Sequence, residues 1–169
     1  MKKNMVQALN KQINEELFSS YLYLAMSAQF EDMSLPGFAG WMRVQAQEEI
    51  SHAIIFFNYI NERGDRVELE EIKKPQKQWK TPLEMFEAAY KHECYISDCI
   101  NKLMDLAIKE RDYATQNMLQ WFIEEQVEEE ASADAILQKL KRIGDAQGML
   151  FMLDRELGER SFEPPAELK

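Results

Sequence analysis

Apolar side chains recur at spacings of three, four and seven along four long stretches of this chain, and between them stand the few residues that stop a helix. The first stretch runs from about Met5 to Phe30 and breaks at Ser34, Leu35, Pro36 and Gly37, where Ser34 suits an N-cap and Pro36 a first turn. A second, from about Phe38 to Arg63, stops at Gly64. The third, about Leu83 to Lys109, opens on Thr81, Pro82 and Glu84, which read as a cap, a first-turn proline and a capping-box acid. Asp112 caps the fourth, about Tyr113 to Ile143, which ends at Gly144. Only 6 Gly and 5 Pro stand in 169 residues, too few for the turns of an all-β chain, while Leu, Met, Ala, Glu, Lys and Gln dominate. The spacing therefore predicts an all-α fold of long helices.

The lengths of the connections set the topology. A short link between the first two helices makes them antiparallel. Residues 65–80 lose helical periodicity, and sixteen residues reach at most about 50 Å when extended, enough to cross the bundle end to end and leave the third helix parallel to the second. The expected architecture is one domain over residues 1–169. It comprises a four-helix bundle over about 4–143 with one long crossover, a short fifth helix over about 146–157, and an extended tail. The apolar run Met149, Leu150, Phe151, Met152 and Leu153 needs a partner surface, either the end of its own bundle or another subunit. The crossover, with Asp65, Arg66, Lys73, Lys74, Lys77 and Lys80, reads as exposed and solvated.

Thirty acidic against 20 basic side chains give a formal charge of −10, which repels phosphate backbones and attracts cations; nucleic-acid binding is disfavoured. No run of 18 or more apolar residues is present, so no membrane span is expected, and the N-terminal residues lack a signal-peptide hydrophobic region. Cys94 and Cys99 lie five apart on one helix, about 8–9 Å between Cα atoms, beyond bridging distance. They read as reduced thiols, and the expected location is the cytoplasm.

The chemistry lies in carboxylates that the helical period turns inward. Glu124, Glu125, Glu128, Glu129 and Glu130 crowd one stretch of the fourth helix, where like charges at i and i+4 cost roughly 0.2–0.5 kcal/mol a pair. With Glu125 at 0° and 100° per residue, Glu129 falls near 40° and Gln126 near 100°, among Met118, Leu119, Phe122, Ile136 and Leu140, whereas Glu124 falls near 260° and outside that arc. In the first helix Glu16 shares a stripe with Leu9, Ser20, Tyr23 and Ser27, and in the second Glu49 shares one with Phe38, Met42, Gln45, Phe56 and Ile60, with His52 one turn on. In the third, Glu93 stands among Phe86, Ile96, Ile100 and Met104. Each helix thus presents an acid to the interior, where an unpaired carboxylate must be protonated, paired or bound to a cation. The ligand set Glu16, Glu49, His52, Glu93 and Glu129, with Gln126 close by, carries four negative charges. Two divalent cations balance them, and carboxylates with one imidazole suit iron or manganese better than zinc.

The stretches Asn14 to Ser20, Ala46 to His52, Tyr90 to Glu93, and Leu119 to Phe122 leading into Glu125 to Glu130 resemble those of the prokaryotic non-haem ferritins over nearly the whole chain. The resemblance implies a ferritin-like bundle whose iron centre oxidises Fe(II) with O2 or H2O2 and passes ferric product into a 24-subunit homo-oligomeric cage. It implies a first iron site of Glu16, Glu49 and His52, a second of Glu49, Glu93 and Glu129 with Glu49 bridging, and Gln126 beside them. Glu48, Glu125, Glu128 and Glu129 match a third, inner-facing site. Tyr23 matches a tyrosine near the centre, an electron donor or hydrogen-bond partner, and Trp121 an adjacent aromatic that serves equally well in packing.

Ile50 stands where bacterioferritins carry a haem-ligating methionine, and Ser132 where they carry a second helical histidine. No haem is expected. A rubrerythrin would need a Cys-x-x-Cys pair that this chain lacks. His92, about 100° from Glu93, is expected exposed and without a metal role, and neither cysteine is expected to bind metal. Two other functions compete: a non-storing di-iron oxidase or peroxidase in the same bundle, and a metal-free helical assembly protein using Met149 to Leu153 as its interaction face.

Overall fold

A computed structural model of the protein describes residues 1–144 and 146–168. Among the described residues are five α-helices, α1 Lys3–Asp32, α2 Pro36–Glu62, α3 Pro82–Glu110, α4 Tyr113–Ile143 and α5 Gln147–Leu157, followed by a 3-10 turn at Ala166–Leu168. No strand occurs among the described residues. The expected bundle with its short fifth helix is therefore the fold, each boundary lying within a few residues of its sequence signal.

Local chemistry ends the helices, with one departure. Thr81 Oγ1 accepts the N–H of Glu84 at 3.1 Å while Glu84 Oε2 accepts that of Lys80 at 2.8 Å, and Asp112 Oδ1 accepts the N–H of Thr115 at 3.2 Å. Ser34 is not a cap. Leu35 holds the N-cap position of α2 without a side-chain bond, and Ser34 adopts a left-handed φ of 58° that turns the chain after α1. The missing cap comes from 117 residues away: Asp154 Oδ1, on α5, accepts the N–H groups of Gly37 at 2.9 Å and Phe38 at 3.0 Å.

Contacts at the two ends fix the helix directions. Ser20 Oγ donates to Ala46 O and Ser27 Oγ to Ala39 O, so α1 and α2 run antiparallel. Phe38 packs on Phe86 near the starts of α2 and α3, and Arg63 pairs with Asp112 near their ends, so these two run parallel, joined by the crossover. That strap is anchored along α1: Asn10 Oδ1 accepts the N–H of Glu68 at 2.7 Å, and the Met1 ammonium meets Asp65 Oδ2 at 2.7 Å. Its lysines are exposed as expected, but Asp65 is half-buried in its pair and Trp79 is buried in the core.

Two apolar clusters fill the bundle. One, with Met26, Phe30, Phe38, Met42, Phe86, Leu137 and Leu140, lies toward the α1–α2 turn and also takes Leu153 and Leu157 of α5. The other, with Leu9, Ile13, Phe56, Ile60, Ile100, Leu119 and Phe122, lies toward the opposite end, where Phe56 and Phe122 stack at 4.0 Å. Helix α5 thus covers its own bundle with one face, while Met149, Phe151 and Met152 remain exposed on the other. The wedge between the two clusters is polar.

Candidate metal centre

Mid-helix positions from all four long helices meet in that wedge. Glu16, Glu49 and His52 are each 1 % exposed, Glu93 2 %, and Gln126 and Glu129 5 %, so the layer is closed to bulk water and its charges must be answered inside. Ligand atoms of Glu16, Glu49 and His52 lie within 4.8 Å of one another, as do those of His52, Glu125 and Glu129. His52 Nδ1 stands 3.6 Å from Glu49 Oε2, and its Nε2 stands 3.9 Å from Glu125 Oε1. The imidazole therefore faces both groups.

Amides and one phenol orient the acids. Gln12, one turn before Glu16, donates to Glu16 Oε1 at 2.8 Å. Gln45 Nε2 bridges Glu49 Oε1 at 3.1 Å and Glu129 Oε2 at 2.6 Å, tying α2 to α4. The Tyr23 hydroxyl donates to Glu93 Oε1, and Gln126 Nε2 lies 3.4 Å from Glu93 Oε2 and 3.3 Å from Ser97 Oγ. These bonds use some acceptors and leave others bare. Among the described residues four buried side-chain atoms have no hydrogen-bond partner, and two of them, Glu16 Oε2 and His52 Nε2, are here. A buried oxygen and a buried imidazole nitrogen without partners, in one chamber with four carboxylates, fit a cation.

Proton affinities record the same crowding. Burial, then the negative charge of Glu49, pushes Glu16 up to about 8. Burial, then Glu93, pushes Glu129 up to about 8. Glu49 and Glu93 are raised well above the usual carboxylate range, by burial first and by Glu129 and Glu49 respectively second. Burial followed by Glu93 likewise raises the Tyr23 phenol. Burial and mutual repulsion thus favour the protonated acids unless a cation answers them, and the donor set, four carboxylates with one imidazole, suits hard divalent or trivalent cations.

The rim positions behave differently. Glu125 is half-buried rather than at the centre of the stripe, because the buried arc of α4 centres on Phe122, Gln126 and Glu129. Glu48, raised by burial, is held by Arg160 Nη2 at 2.5 Å. Glu128 is exposed, and Glu48, Glu93 and Glu128 all stand outside both groups of clustered ligand atoms. Trp121 packs edge-on against His52 at 5.5 Å and against Phe122. His92 is not exposed as expected: it is half-buried, shares a 2.7 Å hydrogen bond with Ser19 Oγ and packs between Phe18, Tyr23 and Tyr95. Burial lowers it to about 4, so it is neutral. A bundle helix touches two neighbours, and the side chain that misses the central stripe of α3 meets α1 instead. Cys94 and Cys99 are unpaired.

Three supporting residues went unassigned in the sequence. Gln12 carries a signal, standing four residues before Glu16 on the same face, and Gln45 lies on the α2 stripe itself. Arg160 carries none, since it sits in the tail beyond α5 where no periodicity applies.

A sequence model described as Ferritin-like domain matches residues 6–143. The chain is 44 % identical over 158 residues to a bacterial non-heme ferritin of Bacteroides fragilis, covering 94 % of this chain and 98 % of that one. It is 38 % identical over 163 residues to one of Staphylococcus haemolyticus, covering 96 % and 98 %. An engineered closed form of the Archaeoglobus fulgidus ferritin superposes with a TM-score of 0.96 at 47 % identity over 96 % of this chain and 99 % of that chain. The open pore ferritin of the same archaeon superposes at 0.95, again at 47 % identity, over 95 % and 99 %.

Proposed function

Since the chain belongs to the ferritin-like family, we propose that it is an iron-storage ferritin, binding Fe(II) as substrate in its mid-bundle layer, oxidising it with O2 or H2O2, and keeping the ferric product in a homo-oligomeric cage. The observation that carries this reading is the pair of unpartnered buried atoms, Glu16 Oε2 and His52 Nε2, in a layer of four carboxylates. Glu16, Glu49 and His52 take one ion and Glu49, Glu93 and Glu129 another, with Gln126 beside them and Glu49 shared. Glu48, Glu125, Glu128 and Glu129 form a third, looser site at the rim, on the way out of the centre.

The chain's own groups do four things in this reaction. Glu16, Glu49, Glu93 and Glu129 supply the negative charge that favours the oxidised ions. They release their protons as the ions bind. Gln12, Gln45 and Tyr23 fix carboxylate orientation through the bonds described above. Phe56, Phe122 and Trp121 wall the imidazole side from water. Two Fe(II) ions give up two electrons, which with two protons reduce O2 to H2O2, or H2O2 to two waters.

Storage belongs to an assembly, because one bundle has no room for mineral. The exposed Met149, Phe151 and Met152 of α5, and Tyr21, Leu24, Ile50, Ile54 and Phe57 of α1 and α2, are apolar surface suited to subunit contacts, consistent with the 24-subunit shell of the family. No helix of the described residues is long and apolar enough to cross a membrane. We assign the protein to the cytoplasm on its unpaired cysteines. The deciding experiment loads anaerobic metal-free protein with Fe(II) and then admits oxygen. Two fast-oxidising irons per chain, followed by many more retained in the particle, are expected. Saturation at the centre would point instead to a non-storing oxidase or peroxidase, and no oxidation would refute the proposal.

A further inference from the structure

We propose that Arg160 is a resident counter-cation on the α2–α4 face: it pins Glu48 and Gln45, and an ion that takes Glu48 Oε2 as a ligand must displace it. This inference rests on the proposed function. Beyond α5 the tail folds back over the bundle, and Arg160 is laid on the Trp41 ring with its guanidinium carbon 4.4 Å from the centroid. Its Nη1 donates to Gln45 Oε1 at 2.9 Å and its Nη2 to Glu48 Oε2 at 2.5 Å. The tail then reaches α2 again through the turn at Ala166–Leu168, whose Leu168 packs on the apolar cluster that holds Phe56 and Phe122.

Arginine has donors and no acceptor. By donating to Gln45 Oε1 it decides which end of that buried amide faces the carboxylates, and Nε2 is left to donate to Glu49 and Glu129. Reversed, the amide would set its NH2 against a guanidinium that has no acceptor. Arg160 is therefore a positioning residue for the centre as well as the partner of Glu48. The groups around Glu48 point to a cation rather than to a permanent ion pair. His52 Nε2 is buried, unpartnered, and within reach of Glu125 and Glu129. A cation there gains Glu48 Oε2 only when the guanidinium lets go, which makes Arg160 and a rim ion that takes this oxygen competitors.

The test is an anaerobic titration of the full-length metal-free protein with Zn(II), a redox-inert probe, followed by calorimetry. Arg160→Gln is expected to tighten the third zinc equivalent per chain by about fivefold to tenfold, and Arg160→Lys, which keeps the charge, to leave it near the wild-type affinity. In a Glu48→Gln background Arg160→Gln is expected to bring no tightening of the third equivalent, because the contested ligand is gone; an effect relayed only through Gln45 to Glu129 would persist there. An unchanged or weaker third equivalent in Arg160→Gln, or the same tightening without Glu48, overturns the inference while leaving the centre intact. Loss of the first two equivalents from the wild type overturns the centre and this inference together.

Discussion

Glu16→Gln isolates the cost of keeping a carboxylate in the dry layer. Glutamine retains the acceptor that Gln12 uses and has nearly the shape of a protonated glutamate, but it does not titrate. Glu16 titrates at about 8 rather than its ordinary 4.5, chiefly through burial. A raised acid contributes stability that is fully present below its unfolded value and is lost as pH rises toward its folded value. Between pH 4.5 and 7 the folded group stays protonated while the unfolded one ionises. The metal-free wild type should therefore lose about 1.4 kcal/mol per pH unit through this group, or about 3 kcal/mol by pH 7. Glu129, Glu49 and Glu93 act in the same direction and remain in both proteins, so the difference between the two curves reports Glu16. Urea unfolding of both proteins, chelated and at one subunit concentration, in half-unit steps from about pH 4.5 to 8, measures that difference. Glu16→Gln should gain steadily on the wild type and level off near pH 8. Parallel curves would mean that Glu16 is already ionised or solvated in the folded state, and the argument for a sealed, cation-demanding layer would fail.

Metal linkage gives a second expectation: Zn(II) at a hundredfold excess over Kd should stabilise the wild type by about 2.7 kcal/mol. Glu49→Ala, lacking the acid that the proposed centre shares between its two ions, should lose most of that increment in a melting experiment; an undiminished increment would remove Glu49 from the centre. At Gly37 an added Cβ would fall 1.7 Å from the Asp154 carbonyl oxygen, whereas at Gly40 the nearest atom is a mobile Arg43 nitrogen at 3.9 Å. Gly37→Ala should detach α5, losing a cap of about 1 kcal/mol and the burial of Leu153 and Leu157 at about 1.5–3 kcal/mol each. Gly40→Ala should be neutral or stabilising by up to about 1 kcal/mol. Hydrogen exchange along α5 separates the two, and equal protection in both variants would contradict the close approach of α5 to Gly37.

Helical period and breaker placement were enough to read the bundle, its crossover and the inward acids from the chain alone. Both are local properties: a carboxylate at Glu16, Glu49, Glu93 or Glu129 shares a face with apolar neighbours whatever lies opposite, and Thr81 or Asp112 caps a helix from three residues away. Groups facing one another across helices could not be read this way. Ser34 looked like the cap of α2, but the bonds come from Asp154, distant in sequence and near only once α5 has docked. His92 looked exposed because one stripe was assigned to a helix that has two neighbours. Which end of Gln45 faces the acids, and which cation answers Glu48, depend on a tail arginine that no periodicity marks. Spacing along a helix decides what a side chain points toward in general; only the packed arrangement decides which partner is there, because hydrogen bonds and charges act over a few ångströms of space and not along the sequence.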